Sequence, residues 1–138
     1  MKTYPVKHIY IDAAVTEDSF TERICSRLPN VPVTVVSSER EIPYGTSSVR
    51  IAKRIIYITR YKGMFCKPCT GTNESYTCCN YYVINEVTGC PLDCRYCILQ
   101  DYLDTPVMRI YVNYDQIFKE YEALQKQFPG RIFRIGTG

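Results

Sequence analysis

Residues 88–100 read TGCPLDCRYCILQ. Three cysteines, Cys90, Cys94 and Cys97, fall at the spacing C-x3-C-x2-C. A structural zinc site takes four ligands, usually from two separated C-x2-C knuckles, and a redox dithiol needs only two. Three thiols in one loop leave one metal position unfilled. A four-iron cluster held by three thiolates has that property, with its fourth iron open to another ligand. The alternative for the same loop is zinc or another structural cluster with no catalysis.

The flanks place this loop in an α/β frame. YYVIN (81–85) before it is an apolar run of strand length. Pro91 biases Cys90 toward an extended backbone and stiffens the start of the loop. After the loop, NYDQIFKEYEALQKQF predicts an amphipathic helix. Ile117, Tyr121, Leu124 and Phe128 share one face, Asn113 or Asp115 can cap it, and Pro129 with Gly130 stops it. RIFRIGTG then starts as a strand. Residues 81–138 therefore read as strand, cysteine loop, helix and strand, a β-α-β unit whose strands run parallel with a right-handed crossover. Loops at the carboxyl ends of parallel strands are where such folds bind ligands.

The chain's beginning gives a second, smaller unit. HIYID alternates as a strand, SFTERICSRL puts Phe20, Ile24, Cys25 and Leu28 on one helical face, and VPVTVVS is another strand. Ser19 with Glu22 forms a capping box and Pro29 ends the helix. EREIPYGTSS is a turn-rich boundary and KRIIYIT a third strand. The expected organisation is a small α/β domain over 1–60, an ordered linker over 61–80, and a second unit over 81–138.

Composition sets the class. The 138 residues are 46% hydrophobic and 22% charged, which describes a globular chain. No apolar run reaches a membrane span, and no signal peptide is visible, so the expected compartment is the cytosol. A net charge of +3 permits a basic groove without demanding one. Of eight cysteines only Cys25 stands outside residues 66–97, and it reads as core filler. Without an export signal, clustered cysteines more often hold metal or do redox chemistry than form disulfides.

The words around the loop resemble a family. C-x3-C-x2-C with the aromatic Tyr96 before the last cysteine is similar to the signature of radical S-adenosylmethionine (SAM) enzymes. KPC-GT, Y-CCNYYVIN, GCP-DC-YC-LQ-YL and Asn113 resemble the spore photoproduct lyase branch, as does TERICSRLPNVPV near the N-terminus. The likeness implies that Cys90, Cys94 and Cys97 bind a [4Fe-4S] cluster whose open iron chelates SAM. Reductive cleavage of SAM would give a 5′-deoxyadenosyl radical, with a flavodoxin- or ferredoxin-type protein as electron donor. It places Tyr96 near the adenine. Gly136, Thr137 and Gly138 would start the glycine-rich strand motif at the methionine end, where glycine lets a backbone approach a ligand.

For the fold, the resemblance implies the first strand, loop, helix and strand of a partial (β/α) barrel over 81–138. The family's members are longer, so a fragment is expected. For the substrate it implies DNA, with cleavage of a thymine photoproduct. The chain departs from the branch at Ile98, where those lyases often carry tyrosine, and RIFRIGTG lacks their hydrogen-donating cysteine. The competing expectations are a non-catalytic metal-binding or redox module and an inactive fragment.

The remaining candidates read as structural. Cys66, Cys69, Cys78 and Cys79 could offer a second metal site, but neighbouring side chains in an extended chain face opposite ways, so packing thiols are expected. Lys53, Arg54, Arg60, Lys62 and Lys67 could track phosphates, but read as a solvated face. His8 lacks the companion that acid–base work requires. Asp93 and Asp101 read as loop-solvating or capping residues.

Overall fold

The structure is a computed structural model and describes residues 4–44, 49–69, 81–92, 94, 96, 98 and 102–137. It divides into two compact units, one formed by Met1–Arg60 with Val87–Val112, the other by Tyr61–Glu86 with Asn113–Gly138.

In the first unit, strand β1 (His8–Asp12) leads through a 3-10 turn (Ala13–Val15) into helix α1 (Ser19–Arg27) and strand β2 (Val33–Val36). A second 3-10 turn (Glu39–Glu41) and the four-residue helix α2 (Val49–Ala52) precede strand β3 (Ile55–Thr59). β1 pairs in parallel with both β2 and β3. All five residues of β3, IIYIT, are buried. That is expected of a parallel strand covered on both faces, which carries a continuous apolar run.

Alternation along the strands builds the two covers. Ile9, Ile11, Ile56 and Ile58 face Phe20, Ile24, Cys25 and Leu28 of α1 and its C-cap. Tyr10, Ile55 and Tyr57 point the other way, onto Val36, Ile42 and Val107. Ile9 and Ile58 are fully buried, and each such side chain contributes about 2 kcal/mol of apolar transfer. Asp18, rather than Ser19, caps α1: its Oδ1 accepts from the Phe20 amide at 2.9 Å. Its carboxylate is the stronger acceptor at a helix start, so the expected capping box gives way to it.

The sheet then gains two strands that the sequence reading passed over. In the second unit lie strand β4 (Cys66–Pro68) and strand β5 (Tyr81–Ile84), while strand β6 (Val87–Thr88) and strand β7 (Met108–Tyr111) belong to the first. β7 runs parallel to β3, and β6 pairs antiparallel with β7. The order is β2-β1-β3-β7-β6. Arg109 interrupts the apolar pattern of MRIY and hides it from a periodicity reading. In the structure its Nε donates to both Glu39 carboxylate oxygens, at 3.1 and 2.9 Å.

The second unit continues with helix α3 (Asp115–Gln127) and strand β8 (Arg134–Thr137). β5 pairs antiparallel with β4 and parallel with β8, as the β-α-β reading expected of β5 and β8. Ile117, Tyr121, Leu124 and Phe128 are the half-buried face of the helix region. Phe133 meets Tyr82, Tyr121 and Phe128 edge-on, with centroids 5.4 to 6.5 Å apart. The N-cap of α3 is Tyr114, with no side-chain cap. Asn113 is committed elsewhere: its Oδ1 accepts from the Tyr61 amide at 2.9 Å and its Nδ2 donates to the Tyr61 carbonyl at 3.1 Å. This side-chain amide copies a strand partner, and with its Nδ2 also donating to Gln116 Oε1 at 2.9 Å it is held away from the helix end.

Candidate functional site

The cysteine segment leaves β5 through Asn85 and Glu86, and the short strand β6 intervenes before it. Gly89 makes the turn into the loop at φ +110°. A Cβ there would sit 3.0 Å from the Met108 Cα and 3.1 Å from the Val107 carbonyl oxygen. Only glycine fits this left-handed backbone against β7. The sequence showed Gly89 without showing this need, because the demand comes from Val107 and Met108, well downstream in the chain.

Two further ties hold the loop. The Thr88 hydroxyl shares a hydrogen bond with the Tyr111 phenol at 2.9 Å. Lys53 Nζ donates to the carbonyl of Leu92, midway between Cys90 and Cys94. Lys53 is buried, unlike the solvated lysine its sequence context suggests. Cys90 is half-buried, Cys94 is exposed, and both are thiols rather than disulfide halves. Tyr96 is 99% exposed. Cys97 lies outside the described residues. Among the described residues, no group of three His, Cys, Asp or Glu gathers as a metal site.

The two described thiols are of the donor class that the expected cluster takes. Cys90 and Cys94 supply soft sulfur ligands on one anchored loop, the ligand class that iron–sulfur clusters require. Cys97 completes the spacing in sequence.

Gly136 and Thr137 lie in the second unit, at the carboxyl end of β8. They stand in register with Val83 and Ile84, so the ends of β5 and β8 are side by side. A Cβ at Gly136 would run into the Tyr81 ring, with Cζ at 2.8 Å and the phenolic oxygen nearer still. The missing side chain makes room for Tyr81. Gly138 lies outside the described residues.

The other candidates divide. Cys66 is buried, and burial, then the neighbouring Glu120, pushes its thiol up. Its amide donates to Glu120 Oε2 at 2.8 Å. It is a packing thiol, as is Cys25, whose thiol burial also raises. Cys69 is half-buried, while Cys78, Cys79, Asp93 and Asp101 lie outside the described residues. His8 stacks on Tyr10 at 4.4 Å and meets the Thr34 hydroxyl at 2.9 Å, a structural role. Lys67 stands over the Tyr61 ring at 5.6 Å.

Asp12 was not singled out by sequence reasoning. Its Oδ2 accepts from the Tyr57 phenol at 2.9 Å and the Thr59 hydroxyl at 3.0 Å, at the carboxyl ends of β1 and β3. The strand order reverses between these two strands, the usual place for a crevice in an open α/β sheet. A cleft of about 500 Å³ opens there, lined by Ala13, Ala14, Thr16, Glu17, Asp18 and Arg60. Arg60 faces Asp18 at 3.9 Å.

No helix among the described residues is long and apolar enough to cross a membrane. No protein-family model matches the chain, and no curated protein matches it in sequence. Solved structures do. A cysteine-to-alanine mutant of spore photoproduct lyase superposes with TM-score 0.79 at 20% identity, covering 99% of this chain and 41% of that one. The lyase complexed with dinucleoside spore photoproduct gives 0.77 at 21%, covering 97% and 40%. A double mutant with bound AdoMet and dinucleoside spore photoproduct gives 0.80 at 21%, covering 99% and 41%. The chain therefore has a mixed α/β fold with a largely parallel sheet that matches part of the fold of spore photoproduct lyase, and it spans about two fifths of the length of those structures.

Proposed function

We propose that this chain carries the cluster-binding part of a radical SAM lyase of the spore photoproduct lyase type, acting in the cytosol on a DNA photoproduct. Two features carry the reading together. The fold follows the lyase over 99% of the chain, and the three-cysteine loop falls within it. In this reading Cys90, Cys94 and Cys97 hold a [4Fe-4S] cluster. Tyr96, Gly136, Thr137 and Gly138 line the place of SAM, and a flavodoxin- or ferredoxin-type protein delivers electrons. Residues 1–60 act as a small α/β domain, 61–80 as a linker, and 81–138 as the start of the barrel.

The bound cluster and SAM supply reductive cleavage to a 5′-deoxyadenosyl radical, which is cofactor chemistry. The chain's own residues position it. Gly89 turns the loop, Lys53 fixes the Leu92 carbonyl between the two described thiols, and Thr88 ties the loop's start to Tyr111. The dinucleoside photoproduct bound in the related lyase supports a DNA-type substrate.

The test is anaerobic reconstitution with iron and sulfide, followed by iron counting and spectroscopy of the reduced chain with and without SAM. About four irons per chain, lost in Cys94→Ala, and a spectrum that responds to SAM support the reading. Zinc in place of iron, or no metal, favours a non-catalytic module or an inactive fragment.

A further inference from the structure

The first unit contains a cationic cleft that the cluster chemistry does not use. It measures about 220 Å³ and is lined by Tyr4, Pro5, Arg50, Lys53, Arg54 and Pro91. Three of the six are cationic and none is acidic. Lys53 forms its inner wall and is only 6% exposed. An ammonium has three protons to donate, and the acceptor recorded for this one is the carbonyl of Leu92. No carboxylate among the described residues forms an ion pair with Lys53 or Arg54. A buried cation without a counter-charge is costly, because the interior screens and solvates it poorly. An oxyanion seated in the cleft would supply a counter-charge and further acceptors.

The walls select the kind of anion. Arg54 is half-buried, so its planar fork is partly held in place, and guanidinium forks match phosphate oxygens in pairs. The Tyr4 phenol is occupied, donating to the Lys53 carbonyl. It thereby braces the backbone that carries the ammonium. Pro5 and Pro91 are rigid and bring no backbone N–H of their own. The position is also informative. Pro91 directly follows Cys90, so the cleft opens at the start of the cysteine loop.

We propose that this cleft is a phosphate subsite, with Lys53 and Arg54 as its main ligands and Arg50 on its rim. Its occupant is a backbone phosphate of a nucleic-acid strand whose damaged base is presented to the cysteine loop. The choice of a strand rests on the function proposed above; the phosphate chemistry rests on the cleft alone.

The test uses the full chain without metal, so that it does not depend on whether a cluster forms. A labelled oligothymidylate is titrated at several salt concentrations against wild type, Arg54→Gln, Lys53→Met and Lys119→Gln, which lies in the second unit. Lys119 pairs with Asp115 on an exposed helix face and makes the same change in net charge. The expected result is roughly three- to tenfold weaker binding for Arg54→Gln, with the salt slope reduced by about 0.7, while Lys119→Gln matches wild type. Arg54→Gln carries the test should Lys53→Met fail to fold. A parallel titration with inorganic phosphate, followed by NMR shifts of Tyr4 and Arg54, separates the two sources of phosphate. Phosphate binding abolished by Arg54→Gln, with oligothymidylate binding indifferent to it, overturns the strand as occupant. Equal effects of Arg54→Gln and Lys119→Gln, together with no phosphate shifts, overturn the subsite itself. A chain that binds oligothymidylate through the cleft but never assembles a cluster refutes the proposed function and leaves the subsite standing.

Discussion

The ring of Tyr81 occupies the space where a side chain at position 136 would begin. Tyr81 and Gly136 lie on neighbouring parallel strands, β5 and β8. Gly136→Ala should force the ring aside and cost about 1–3 kcal/mol in urea unfolding. Tyr81→Ala is disruptive alone, but in the double variant it should recover at least half of the Gly136→Ala cost. Additive losses would mean that the ring does not explain the glycine.

Gly89 carries a different constraint, in its own backbone. Gly89→Ala requires φ +110° from an L-residue and presses a methyl on the β7 backbone. We expect a loss of about 2–3 kcal/mol and a lower iron content after reconstitution. An alanine variant with wild-type stability and iron content would show that the loop's turn is not set here.

Asn113 pairs with both the amide and the carbonyl of Tyr61. Asn113→Ala removes both of these part-buried bonds and should cost about 1–3 kcal/mol. Asn113→Asp keeps the acceptor but replaces the donor with a second oxygen facing the Tyr61 carbonyl. Its destabilisation should therefore equal or exceed that of alanine at neutral pH and shrink in acid, where the carboxyl is protonated. Urea midpoints at pH 7 and pH 4 check this.

Burial raises the Tyr57 phenol to about 12; the neighbouring Thr59 hydroxyl opposes this, and the bond to Asp12 with the charges of Asp12 and Glu39 adds to it. The folded state therefore holds this proton more tightly than the unfolded chain, whose tyrosines ionise near 10. The sign follows from linkage: the contribution is complete below pH 10 and is lost as pH rises from 10 to 12. Tyr57→Phe should flatten the pH dependence of the urea midpoint in that window. An unchanged slope would exclude Tyr57 as its source.

Thr21 is buried on α1 at 1% exposure, and its hydroxyl has no hydrogen-bond partner among the described residues. Thr21→Val keeps the shape and removes the unsatisfied oxygen. It should stabilise the chain by about 0.5–1 kcal/mol, raising the thermal midpoint. A lower midpoint would point to a bound water that satisfies the hydroxyl.

Periodicity made the regular elements legible: β1, α1, β3, β5, α3 and β8 all carry strong local patterns, and each was expected where it lies. β7 was not, because its apolar run is short and holds Arg109, whose ion pair with Glu39 comes from a partner 70 residues away. The caps of α1 and α3 were misread for a related reason. Asp18 and Ser19 both suit a helix start, and only the folded backbone chooses between them, while Asn113 is drawn away by Tyr61. At the candidate site the thiols were plain in the spacing. Gly89, Lys53 and Asp12 were not, since each acts on a residue distant in sequence.

The strand order has a consequence for synthesis. β1, β2 and β3 are complete once residue 59 has emerged, but β7, which covers the far edge of β3, ends at residue 111. Until then the most apolar strand of the chain has one row of backbone groups unpaired, a template for pairing with other nascent chains. The cysteine segment emerges in the same interval, before the strand that fastens its start. Ribosome-bound chains halted between these lengths should be more prone to aggregate than the finished chain.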